Sequence, residues 1–145
     1  MSRIKSGDCY GAKIEFTTGT VADYLLQSDG RAQNNFRNIQ FKADSVMFRE
    51  IGGNLTWYFA ENANSIMSGD IGITANADVS VYMNGAEGMV CAAKTARVSF
   101  YYPGIKGVKV NGKSGKHIDI SDGYVTIELQ KGEAVIELDF EGEYG

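Results

Sequence analysis

The chain has 145 residues, 43% of them hydrophobic, with 18 acidic against 14 basic side chains. That composition excludes intrinsic disorder and, with a net charge of -4, argues against a general affinity for nucleic acid. One domain of this length buries enough apolar surface to fold without metals or disulfides, and its 18 glycines with a single proline suit many tight turns better than long helices.

The first eleven residues, MSRIKSGDCYG, contain no apolar core of an export signal, and nowhere do apolar residues run far enough to span a bilayer. Residues 12–16 (AKIEF) alternate Ile14 and Phe16 with polar neighbours and read as a strand ending at Thr17-Thr18-Gly19-Thr20. Residues 21–26 (VADYLL) fit either period, but the turn clusters TTGT and QSDG on either side leave too little room for a helix. Residues 31–38 are polar and weakly patterned, and read as a surface loop entering a strand near Ile39 and Phe41. Residues 45–51 and 55–61 flank Gly52-Gly53-Asn54, a hairpin signal, since glycine and asparagine tolerate left-handed backbone. In the second of these strands Leu55, Trp57 and Phe59 share one face and Thr56, Tyr58 and Ala60 the other, so only one of Trp57 and Tyr58 enters the core.

Residues 61–70 (ENANSIMSGD) read as one helical turn or an irregular crossover. Short strands follow at 71–74, 79–83, 89–92 and 97–101, broken by Asn76-Ala77-Asp78, Asn84-Gly85 and Lys94-Thr95. From Phe100 to Phe140 the chain reads as a meander punctuated by Asn111-Gly112, Asp122-Gly123 and a hairpin turn at Gln130-Lys131-Gly132-Glu133. There Val125, Ile127 and Leu129 point to one face, as do Ala134, Ile136, Leu138 and Phe140. The expected fold is a single all-β domain over residues 1–145, an antiparallel β-sandwich of roughly ten to twelve strands.

The chemistry-bearing residues are few. His117 is the only histidine, and no G-x-S-x-G turn accompanies it, so it reads as a surface residue and no catalytic residue is assigned. Cys9 and Cys91 are too few and too far apart in sequence for a zinc site, and read as buried or partly buried free thiols unless the fold pairs them. No cofactor is expected. Calcium stays open at Asp29, Asp70, Asp78 or Asp122, although no D-x-D-x-D-G loop is present and turn aspartates ordinarily serve backbone hydrogen bonds. Asn54-Leu55-Thr56 matches a glycosylation sequon. Two groupings are candidates for glycan contact. Lys106, Lys109, Lys113, Lys116 and His117 form a basic cluster suited to carboxylate or sulfate on an acidic polysaccharide. Trp57, Tyr58, Tyr101 and Tyr102 are rings of the kind that cover pyranose faces, against which stands ordinary packing between sheets.

The segments ADYLLQS, ADSVMFRE, LTWYFAE and VKVNGKSGKHIDISDGYVTIEL, within residues 20–140, resemble the C-terminal β-sandwich region of heparinase II/III-type polysaccharide lyases. In that family a helical toroid and a central sandwich supply the catalytic Tyr, His and Asn residues, whereas the terminal β-region is mainly structural. The resemblance therefore implies a segment of a larger bacterial enzyme, extracellular or periplasmic, in which this chain is a non-catalytic accessory domain. Its partners would be the catalytic domain of the same parent chain and acidic polysaccharide. A free-standing carbohydrate-binding module and a structural or adhesive surface domain are the alternatives.

Overall fold

The computed structural model describes the backbone of residues 2–6, 9–15, 21–28, 33–36, 38–52 and 54–140, and side chains from residue 21 onward with residue 28 excepted. Among the described residues there is no helix, and hence none long and apolar enough to cross a membrane. The elements are β1 (Ser2–Ser6), β2 (Cys9–Glu15), β3 (Val21–Ser28), β4 (Asn34–Phe36), β5 (Ile39–Lys42), β6 (Ser45–Ile51), β7 (Asn54–Ser68) and β8 (Ile71–Asn84). They continue with β9 (Glu87–Ala92), β10 (Ala96–Tyr101), β11 (Ile105–Val110), β12 (Lys113–Ser114), β13 (His117–Ser121), β14 (Tyr124–Leu129) and β15 (Gly132–Phe140).

The expected all-β antiparallel architecture is present, with fifteen strands among the described residues rather than roughly ten to twelve. The larger number comes from short pieces that periodicity cannot register, such as β4 and β12. The strands form one hydrogen-bonded sheet that divides into two layers. The longer layer runs β1-β2-β3-β6-β7-β8-β9-β15-β11-β12, and the shorter runs β4-β5-β7-β8-β10-β14-β13. Both pass through β7 and β8, the two longest strands. Val90 and Ile136 of the longer layer share one core with Val98, Phe100, Val125 and Ile127 of the shorter, and β11 packs across onto β14. Burying both inner faces in this way is what alternating strands require of a second layer.

The corner where the layers part lies in β7 and β8. Asn62 takes a left-handed backbone (φ 48), which asparagine tolerates better than most side chains. On β8, Ala63 opposes Val79 but Ser65 already opposes Thr74, so β8 supplies the longer path round the bend. The segment 61–70, expected as a helical turn or crossover, is therefore strand as far as Ser68. Asn76-Ala77-Asp78, expected as a break, stays inside β8: Ala77 is buried, the Asn76 Oδ1 accepts the Arg97 backbone N–H at 2.8 Å, and the Asp78 Oδ1 accepts Asn64 Nδ2 at 3.1 Å. These polar side chains satisfy backbone and amide groups that a bend would otherwise leave without partners.

Two further expectations are corrected. Residues 34–36 are a strand and not loop, because Phe36 packs at 5.4 Å from Tyr24 and 6.4 Å from Phe48, giving the segment an apolar anchor. Residues 130–133 do not close a hairpin, since β14 pairs with β10 and β13 whereas β15 pairs with β9 and β11. The connection crosses from one layer to the other, and the stretch from Phe100 to Phe140 is not a simple meander. The turns at Asn84-Gly85, Asn111-Gly112 and Asp122-Gly123 do join paired strands, as does the one after β6. The turn clusters at 17–20 and around Asp29, and the Phe16 end of the strand at 12–16, lie outside the described residues.

Two hairpins share a local rule. Met67-Ser68-Gly69-Asp70-Ile71-Gly72 and Met83-Asn84-Gly85-Ala86-Glu87-Gly88 each set a methionine opposite a glycine one pair inside a two-residue turn. A Cβ on Gly72 would overlap the Ile66 carbonyl oxygen, and one on Gly88 the Tyr82 carbonyl oxygen. Glycine at these positions lets the methionine thioether lie on the opposite strand.

Candidate interaction face

The outer face of the longer layer is built by register. Leu25 opposes Met47, Met47 opposes Phe59, Phe59 opposes Tyr82, Tyr82 opposes Met89, and Met89 opposes Val135. Six neighbouring strands thus place an apolar side chain at one level, a row about 24 Å long at the usual inter-strand spacing. Phe59 is half-buried, and the other five are 38% to 48% exposed. Beside it runs a charged row, again in register: Asp23, Arg49, Trp57, Asn84, Glu87, Glu137 and Lys109. On the other side lie Gln27, Ser45 and Glu61, then Ser80, Cys91 and Glu133.

Within the charged row Arg49 donates from Nε and Nη2 to the two Asp23 carboxylate oxygens, at 2.7 and 3.0 Å. That hydrogen bonding raises the Arg49 pKa above its ordinary value. The same guanidinium lies over the Trp57 ring, 5.5 Å from its centre, a cation–π contact between neighbouring strands. Trp57 in turn is 6.4 Å from the Tyr82 ring. Further along, Glu87 and Glu137 stand directly opposite each other, a like-charge pair that strand pairing disfavours. With Tyr82, Asn84, Met89 and Val135 they line a shallow depression of about 380 Å³.

The outer face of the shorter layer is different. At its middle Thr74, Ser99 and Thr126 lie in register, with the Ser99 and Thr126 hydroxyls 2.6 Å apart. The Tyr101 and Tyr124 rings lie 5.5 Å apart, tilted, beside them, and the Tyr124 hydroxyl donates to Asp119 Oδ2 at 2.8 Å, which raises the tyrosine's pKa. One outer face is a hydroxyl ladder and the other carries an apolar row.

The candidate glycan-contact residues are accordingly scattered. Trp57 faces outward on the longer layer, and Tyr58 is a core residue, 6% exposed, whose burial raises its pKa. Tyr101 lies on the opposite outer face. Tyr102 is half-buried against Phe140 at 5.1 Å and closes the end of the core. The structure does not gather these four rings into one platform. The basic residues lie on adjoining segments of β11 to β13, where Lys113 opposes Val110 and the His117 ring lies beside Gly107: Lys109 pairs with Asp139 at 3.9 Å, and Lys106, Lys113 and Lys116 are exposed.

His117 does more than sit at the surface. Its Nε2 accepts the Val108 backbone N–H at 3.3 Å, and its ring would be 3.1 Å from a Cβ on Gly107. The imidazole thereby covers part of the β11 edge, a place where an unpaired strand invites association. Cys91 is exposed and free, contrary to the expected burial, because its strand position points to the outer face; the Cys9 side chain lies outside the described residues. Of the aspartates considered for calcium, Asp70 and Asp122 occupy separate hairpin turns, Asp78 sits at the corner, and Asp29 lies outside the described residues. Among the described residues no three His, Cys, Asp or Glu side chains group as a metal site would need.

No protein-family model and no curated protein matches the chain.

Proposed function

We propose that this chain is a non-catalytic β-sandwich domain that works by docking to protein through the outer face of its longer layer. The observation that carries the reading is the row Leu25, Met47, Phe59, Tyr82, Met89 and Val135, held in register across six strands. Contiguous exposed apolar surface of this kind marks interaction sites on folded proteins, whereas single exposed apolar residues do not. Engagement of His117 with the β11 edge supports a non-catalytic role, since the one imidazole is employed in the fold. The setting implied by the resemblance follows naturally: an accessory domain of a secreted polysaccharide-degrading enzyme, supporting its neighbour.

Photo-crosslinking tests this. A benzophenone amino acid at position 82 or 47 is expected to capture protein in the producing cells and medium, and one at position 126 to capture none. Equal labelling at all three positions overturns the docking face. Cleavage of a uronate polymer by the purified chain overturns the non-catalytic reading.

A second reading, glycan binding, is favoured by the Trp57–Tyr82 ring pair beside the Asn84, Glu87 and Glu137 depression. Titration calorimetry against acidic and neutral glycans decides it. Heat that disappears in Trp57→Ala with the fold intact supports it, and flat traces across the panel exclude it.

A further inference from the structure

We infer that the occupant of the outer face is a second copy of this chain, stacked about a two-fold axis that runs along β8. The inference rests on the docking reading above and deepens it. It is carried by the order of charges in the row Asp23, Arg49, Trp57, Asn84, Glu87, Glu137, Lys109, which occupies seven adjacent strands with β8 at the centre.

A two-fold axis along β8 lays this row on its own reverse. Asp23 then meets Lys109 of the partner subunit, Arg49 meets Glu137 of the partner subunit, and Trp57 meets Glu87 of the partner subunit. Asn84 meets its own copy on the axis. Every charged pair is of opposite sign, and the strained Glu87/Glu137 pair gains a cation. The apolar row falls on itself as well: Tyr82 on Tyr82 of the partner subunit, Phe59 on Met89, and Met47 on Val135. The third row puts Cys91 against Glu61 and Glu133 against Ser45, with no like charges opposed.

Other arrangements of the same face do worse. An axis along the apolar row would set Glu137 against Glu133 and leave Arg49 facing Ser45. An axis between β7 and β8 would set Asp23 against Glu137. Of these three arrangements only the axis on β8 opposes no like charges within the three rows while pairing Asp23 with Lys109 and Arg49 with Glu137, the self-complementarity an isologous interface demands. It also keeps the strands of the two sheets nearly parallel, the orientation in which twisted sheets stack. Seven strands by three outward rows cover about 700 Å² on each copy at standard strand dimensions. A stable interface of ordinary size buries about 800 Å² a side, so the face is close to the extent a specific dimer uses.

Sedimentation equilibrium on the full chain tests the inference, with circular dichroism to confirm folding. The wild type is expected to behave as a dimer of the 15.8 kDa chain and Tyr82→Glu as a monomer. Arg49→Glu and Glu137→Arg should each weaken association at least tenfold, and the double variant should recover most of it. In a background with Cys9 and Cys91 changed to serine, Asn84→Cys should be joined into a covalent dimer by a short bis-maleimide that spans the roughly 10 Å between stacked sheets, and Thr126→Cys should not. A wild type that stays monomeric up to millimolar concentration overturns the second-copy inference; if position 82 then still crosslinks to another protein, the docking reading survives alone. A dimer indifferent to Tyr82→Glu, or crosslinked through position 126, also overturns the second-copy inference.

Discussion

Gly72→Ala isolates how closely the corner hairpin is packed. Gly72 opposes Met67 one pair inside the β7–β8 turn, with a backbone φ of +149, a conformation that side chains with a Cβ rarely adopt. Backbone strain of that kind costs about 1–3 kcal/mol. The added Cβ would also overlap the Ile66 carbonyl oxygen and stand 2.8 Å from the Met67 Cα, both backbone atoms that cannot rotate aside. Forcing an extra methyl into a packed position adds about 1–3 kcal/mol. The sum, about 4 kcal/mol, corresponds to a fall in Tm of about 8–16 °C for a chain of this size. Gly69→Ala, two residues past Met67 in the same hairpin, is the control: its φ is +61 and nothing lies within 4 Å of the built Cβ, so only about 1 kcal/mol of left-handed strain applies. Differential scanning calorimetry on the two variants makes the comparison. If Gly72→Ala melts no lower than Gly69→Ala, the close approach of β7 to β8 described above is wrong.

Three other outcomes are expected. Burial raises the Tyr58 pKa and the Asp119 hydrogen bond raises that of Tyr124, so above the ordinary tyrosine value of about 10 the unfolded chain loses these protons first and stability falls with rising pH. Alkaline titration followed at 295 nm should show Tyr58 ionising only with unfolding, and an ordinary titration of every tyrosine in the folded state would refute this. His117→Ala should speed hydrogen exchange at the Val108 amide while costing no more than about 1 kcal/mol globally, because one backbone N–H loses its acceptor. Asn62→Val should destabilise by about 1–2 kcal/mol, since a left-handed position tolerates asparagine and not a β-branched side chain; unchanged urea unfolding would remove Asn62 as the pivot of the corner.

Alternation made the inner face legible. Val125, Ile127, Leu129, Ala134, Ile136 and Leu138 are all buried where period two puts them, and the turn dipeptides fall between strands. The bends were illegible, because Asn62 and the stretch Asn76-Ala77-Asp78 have the composition of turns and act inside strands. Strand order was hidden for a different reason: Gly132 suits a hairpin and a crossover equally, and only the core decides. The apolar row was half visible. Phe59 and Trp57 were assignable to one face from local spacing, but that Leu25, Met47, Tyr82, Met89 and Val135 share a level depends on registers between strands far apart in sequence. Local pattern likewise left open which of Trp57 and Tyr58 enters the core; the pairing of β7 with β6 and β8 decides for Tyr58.

The position of β15 governs when the molecule can be finished. β15 lies between β9 and β11, two segments that wait side by side without β15 along those edges until residues 132–140 emerge from the ribosome. Closure is thus a late, long-range event, slow by topology and exposed meanwhile to wrong pairings. A chain stopped before residue 132 would carry two raw edges in its middle, and aggregation in the producing cell would be its fate.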